Sequence, residues 1–254
     1  MVIFIGLLAG AFGSLVGLGG GVVMIPLMVG LLKMEQHKAH GTSLVTLVFT
    51  GITGMIVYQQ HDSVNLWAAV ILAAAALLTV WIGVKHSLSL PSWKLKRLFG
   101  YLLCFVAVVI PLKLLLTSVL PNPTVSETIF ILLVSGAVTG FLSGMLGVGG
   151  GSIMVPAMVL LAGFDQHTAQ GTSLLAMIPV GATAAYAHWR LGQVNKIVLP
   201  FLIPSIIIGA VIGGVFAHYL PELILRLVFA VVLLWNGIKF IGSTEPETEQ
   251  NNLK

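Results

Sequence analysis

Apolar runs of about 20 residues, the length that a roughly 30 Å hydrocarbon core requires, recur along the whole chain, and most of the charge falls between them. The pattern predicts spans over residues 1–16, 39–60, 66–85 and 95–116, then 126–145, 169–189, 196–217 and 223–241. Between the first and second span of each set lies a shorter apolar stretch, 22–32 and 152–163, preceded by a glycine-rich loop. At 1.5 Å per residue such a helix covers only about 17 Å and cannot cross the core alone. Pro121-Asn122-Pro123 reads as a linker, and the polar, proline-containing tail from Ser243 as disordered.

The two sets are copies. Gly17-Leu18-Gly19-Gly20-Gly21, an apolar run with Pro26, and Gln36-His37-Lys38-Ala39-His40-Gly41-Thr42-Ser43-Leu44 return 130 residues later. There they read Gly147-Val148-Gly149-Gly150-Gly151, Pro156, and Gln166-His167-Thr168-Ala169-Gln170-Gly171-Thr172-Ser173-Leu174. Sixteen of the 28 positions from Gly17 to Leu44 are identical at that offset without a gap, which is too many for chance. The register persists outside the block, at Gly6/Gly136, Gly10/Gly140, Gly51/Gly181, Val64-Asn65/Val194-Asn195, Gly83/Gly213 and Leu90-Pro91/Leu220-Pro221. A period this long means two halves of one fold rather than a solenoid. The expected organisation is a first repeat over 1–120, a linker at 121–124, a second repeat over 125–242 and a tail over 243–254, all in one integral membrane domain.

Composition agrees with the pattern. With 57% hydrophobic and 8% charged residues, a water-soluble globule would lack polar surface, since soluble domains carry near 25% charge. The first 16 residues lack a basic n-region and an Ala-x-Ala site, so they read as a span and not a cleavable signal. Cys104 is the one cysteine and sits in an apolar run, which leaves no disulfide framework. The net charge of +4 is a matter of topology and implies no nucleic-acid partner.

Charge counting separates two topologies. If each glycine-rich loop joins elements that enter and return, Lys33, Lys38, Lys85, Lys94, Lys96, Arg97, Arg190, Lys196 and Lys239 share one side, leaving Lys113 and Arg226 on the other. If the first two elements form one broken span, the split becomes seven against four. The positive-inside rule prefers nine against two. Both termini are then expected in the cytoplasm, with the halves inverted in the membrane, an architecture of many secondary transporters. The fold class expected is all-α and polytopic, two inverted repeats of about five helices each.

The glycine-rich loops are the candidate chemistry. Irregular backbone at membrane depth is tolerated only when buried in protein or lining a cavity. Each loop opens a short helix whose free N–H groups and positive dipole end suit an anion. The candidate substrate-binding residues are Gly19, Gly20, Gly21, Thr42, Ser43, Gln36 and their counterparts Gly149, Gly150, Gly151, Thr172, Ser173, Gln166. Small-residue packing competes for the Gly-Thr-Ser segments, and helix capping for the glutamines. A nucleotide site fails, because no Lys-Ser/Thr follows the glycines and no βαβ pattern surrounds them.

All eight acidic residues fall in loops, at span edges or in the tail, so no mid-membrane carboxylate encodes a cation pathway. His37 and His167 are the repeated titratable pair and the candidates for proton coupling, with capping as the plainer alternative. Met24, Met154 and Cys104 read as packing. No catalytic group, metal site or cofactor is expected, a homo-oligomer is left open, and the lipid bilayer is the one certain neighbour. A passive channel would need a continuous polar pore, and a thiol relay would need a partner for Cys104; both rank below a transporter.

The duplicated Gly-x-Gly-Gly-Gly, the short helix with proline and the Gly-Thr-Ser-Leu segments together resemble the TauE/SafE sulfite exporter family, also called TSUP, over nearly the whole chain. The resemblance implies a multi-pass cell-membrane transporter of small sulfur-containing anions such as sulfite or sulfonates. Neither the particular anion nor the direction of transport is written in these residues.

Overall fold

Among residues 1–86, 97, 100–109, 123–146 and 149–242, which the computed structural model describes, every regular element is a helix. The expected linker residues 121–122, the ends of the expected 95–116 span, Gly147, Val148 and the tail lie outside the described residues. The elements are α1 (Val2–Val16), α2 (Gly21–Leu31), α3 (Gln36–Gln59), α4 (Leu66–His86), α5 (Gly100–Val109) and α6 (Val125–Leu146). They continue with α7 (Gly151–Pro156, prolonged by a π turn over Ala157–Leu161), α8 (Gln166–Arg190), α9 (Leu199–Tyr219) and α10 (Glu222–Ile241). By length and composition α3, α4, α6, α9 and α10 could each cross a membrane.

Two details depart from the sequence expectation. Helices α3 and α8 begin three residues before the expected Ala39 and Ala169. In α8 the reason is Asp165, whose Oδ1 accepts from the Thr168 amide at 2.9 Å and caps the first turn. The second short helix is also not α-helical throughout. Pro156 has no N–H and its ring crowds the carbonyl one turn back, and the next turn widens until Ala162 N–H reaches Ala157 O at 3.1 Å.

Polarity is turned inside out. Thr42, Ser43, Thr46, Thr50, Gln166, Gln170, Thr172 and Ser173 are all buried, whereas Phe105, Leu78, Phe130 and Ile212 face outward. Exposed hydrocarbon around an interior that holds these polar side chains among its apolar core suits lipid, where neighbouring helices must satisfy what the bilayer cannot.

The packing repeats at the same 130-residue offset as the sequence. α1 packs on α9, α6 on α4, and α3 on α8. These contacts are close because glycine faces backbone: Gly10 lies against the carbonyl of Ile206 and Gly140 against that of Ala76, Gly83 against that of Phe141 and Gly213 against that of Ala11. Each contact is the counterpart of its pair-mate at the offset, so the repeated glycines are the thin points of two equivalent helix pairs. α3 and α8 run antiparallel. Gly41, near the start of α3, abuts the Gln193 carbonyl beyond the end of α8, and Gly171 abuts the Ser63 carbonyl beyond the end of α3.

Candidate functional site

Helix α1 ends because Gly17 adopts a left-handed conformation, φ 72°, which glycine takes without a Cβ penalty. The amides of Leu18 and Gly19 turn back to Gly13 O at 3.0 and 3.2 Å, so they close α1 and are not offered to a ligand. Gly20, also left-handed at φ 84°, then starts α2. The next two amides, of Gly21 and Val22, open that helix without an intrahelical acceptor. In the second loop the Gly150 amide points to the Met177 sulfur at 3.1 Å. Each glycine-rich loop therefore exposes fewer donors than a count of its glycines suggests.

The two loops meet. Gly151 lies against the Gly17 carbonyl and Leu18 Cα, and a Cβ on Gly149 would come 2.8 Å from the Leu18 carbonyl. Gly20 and Gly150 do not point across this junction. A Cβ on Gly20 would stand 2.6 Å from the Ala9 carbonyl, and one on Gly150 would strike the Thr139 methyl, at the position equivalent to Ala9. Alanine at Gly20 would thus strain the backbone and crowd α1 as well as any ligand.

The Gly-Thr-Ser hydroxyls are engaged within the protein. Thr42 Oγ1 donates to Lys38 O at 2.6 Å and accepts from the Asn195 amide at 3.0 Å. Thr172 Oγ1 accepts from the Asn65 amide at 2.9 Å. The two cross-links are equivalent at the offset, and Asn65 and Asn195 use their side chains to bond Ala68 N and Ile197 N, each at 3.0 Å. This explains the repeated Val-Asn. Ser43 donates to His40 O at 2.8 Å, and Ser173 Oγ has both Gly17 O and Gln170 O at 2.8 Å as acceptors for the single proton a hydroxyl can give. Thr42→Val and Thr172→Val should each destabilise the protein by about 1–2 kcal/mol, because each leaves a partly buried amide without an acceptor. Thermal melting in detergent tests this, and an unchanged midpoint in both variants would deny the clamps any structural role.

Of the predicted glutamines, Gln166 is fully buried, with neither polar side-chain atom partnered, while its backbone N–H donates to Glu222 Oε1 at 3.1 Å. The Gln36 side chain lies outside what the structure describes. The predicted histidines sit differently: His37 is exposed, whereas His167 bonds Ala217 O at 3.2 Å and has the His218 ring 5.3 Å away.

Sequence reasoning missed several neighbours. His61 stacks on His218 at 3.9 Å, and the Tyr58 ring meets His218 edge-on at 4.6 Å. Tyr58 is buried, and its hydroxyl lies 2.9 Å from Gln170 Oε1 and 3.1 Å from Ser14 O. A polar file thus leads from the end of α3 to the first loop. Neither Tyr58 nor Gln170 is repeated, since His188 and His40 stand at the offset, so pairing of identical residues between the two copies passes over them. No group of three or more His, Cys, Asp or Glu among the described residues could hold a metal. A cavity of about 360 Å³ between α5 and α7 is lined by apolar side chains apart from Ser152 and does not suit an oxyanion.

The comparisons with known proteins agree in kind. The family model described as "Sulfite exporter TauE/SafE" matches residues 2–241. The probable membrane transporter protein YunE of Bacillus subtilis is 27% identical, covering 95% of this chain and 96% of that protein. Another from the same organism, YjnA, is 26% identical over 94% and 98%. Sulfite exporter TauE/SafE family protein 5 of Arabidopsis thaliana is 33% identical over 37% of this chain and 21% of its own. No solved structure matches.

Proposed function

The chain belongs to the sulfite exporter TauE/SafE family of membrane transporters, and from that premise we propose that it carries a small sulfur-containing anion, sulfite or a sulfonate, by alternating access. The observation that carries this reading is the junction of the two glycine-rich loops, Gly17 and Leu18 against Gly149 and Gly151, inside a shell of buried polar side chains. In it the repeats over 1–120 and 125–242 are inverted in the inner membrane of a cell, both termini are cytoplasmic, and each loop caps a hairpin that enters and returns. Rocking one repeat against the other would expose the junction to each side in turn.

The anion is held by the amides that open α2 and α7, by Gln166, and by the hydroxyls of Thr42, Ser43, Thr172 and Ser173 once rocking frees them from their present partners. Gln36 plays the part of Gln166 in the first repeat. His167, inside the histidine group, and His37, its exposed counterpart, supply proton coupling.

Counterflow in proteoliposomes tests the proposal. Vesicles loaded with unlabelled sulfite should transiently accumulate labelled sulfite from outside, as a carrier does and a pore does not. Absence of that overshoot, with label simply equilibrating, would make the protein a channel. In the same assay the joint replacement of His37 and His167 by Gln should flatten the rate between about pH 5 and 8, the range over which imidazole titrates. An unchanged profile would remove both from the coupling.

A further inference from the structure

Helix α8 presents Gln166, Gln170 and Ser173 at spacings of four and three residues, hence on one face. Ser173 reaches the first glycine-rich loop through Gly17 O. Gln170 presses on the same residue: a Cβ on Gly17 would come 2.8 Å from the Cα, Cβ and Cγ of Gln170. Tyr58 fixes the amide by bonding its Oε1 at 2.9 Å, which directs Nε2 elsewhere. That Nε2 has no partner, although Gln170 is fully buried. Ser14 Oγ, on the last turn of α1, is likewise buried and unpartnered. It occupies a niche left by two glycines, since a Cβ on Gly54 or Gly214 would lie 2.9 or 2.8 Å from it.

An orphaned buried donor is costly, and two of them beside one loop would be satisfied by an acceptor that enters and leaves. Ser14 and Gln170 offer two amide protons and one hydroxyl. These donors call for a ligand rich in oxygen acceptors. We propose that Gln170 is a substrate-contacting residue of the first loop, its Nε2 and Ser14 Oγ donating to an oxyanion while Tyr58 holds the amide in place. This rests on the transport reading above and assigns it a residue outside both the glycine-rich motif and the Gly-Thr-Ser segment. The two halves then bind unequally, because His40 and His188 occupy the equivalent places.

The test uses the purified full-length protein with sulfite and methanesulfonate as probes, read by equilibrium binding and by thermal melting with and without probe. Gln170→Met keeps the stem on Gly17 and removes both donors. It should weaken binding about 10- to 100-fold, the worth of one or two hydrogen bonds to an anion. Its melting temperature without probe should stay within a few degrees of the unsubstituted protein. Gln170→Glu keeps the acceptor for Tyr58 and puts a carboxylate where the anion sits, so it should abolish measurable binding. Gln170→His, which restores a ring N–H donor, should bind better than either. Undiminished binding by the Met and Glu variants overturns the inference alone. Failure of the unsubstituted protein to bind or exchange either probe overturns the transport reading and this inference with it.

Discussion

Gly10→Val and Gly140→Val should each leave little folded protein. A side chain on Gly10 would enter the carbonyl of Ile206 and stand 2.9 Å from the Ala210 amide; on Gly140 it would enter the carbonyl of Ala76, with Thr79 beside it. These obstacles are mostly backbone of a facing helix and cannot turn aside as a flexible side chain can. The pairs α1–α9 and α4–α6 would have to separate along their length, losing the close contact that holds helices together where lipid gives no hydrophobic drive. Overpacking a well-filled interior costs about 1–3 kcal/mol and sometimes more, against a total stability of about 5–15 kcal/mol. Valine against main chain belongs at the upper end. The expected result is a fall in melting temperature of about 10 °C or more, or loss of the monodisperse peak in detergent. Gly30→Val is the control, since a Cβ there meets nothing within 4 Å. Normal melting of both valine variants would mean that the two helix pairs are not this close.

Those glycines were visible in the sequence because they repeat, as were the helix pattern, the two short helices and the Val-Asn pairs. Close packing of backbone on backbone admits only the smallest residue, so both copies carry it. The uses of Thr42 and Thr172 were not visible. A hydroxyl inside a membrane helix suits a ligand or a neighbouring amide equally well, and only the approach of Asn195 and Asn65 distinguishes them. The amides of the first loop were overcounted for a similar reason: Leu18 and Gly19 finish one helix before Gly20 begins the next. Tyr58, Gln170 and Ser14 were missed because they differ between the copies. The histidine group draws on the turn after α3, on α8 and on α9, segments that no spacing rule joins.

Cysteines placed at Glu35 and Asp165 should be labelled from opposite sides of the membrane, the first from the cytoplasm. The two positions are equivalent at the repeat offset, and each immediately precedes a long helix, α3 or α8. Those helices run antiparallel, with Gly41 of α3 beside Gln193 and Gly171 of α8 beside Ser63. At 1.5 Å per residue, 24 and 25 residues reach about 36 Å, enough to carry each end across a hydrocarbon core of roughly 30 Å. Both residues are exposed. Substitution at Asp165 removes the cap on Thr168 and should cost only about 1 kcal/mol, which an otherwise intact helix tolerates. Orientation follows from the cations: Lys33 and Lys38 flank Glu35, and Arg190 and Lys196 flank the end of α8 that meets them, the accumulation that keeps loops in the cytoplasm. An impermeant maleimide applied to intact cells should therefore modify the residue-165 cysteine and leave the residue-35 cysteine until the membrane is opened. Modification of both from outside, or of neither, would place the two positions on one side of the membrane, make the repeats parallel and discard the inverted arrangement.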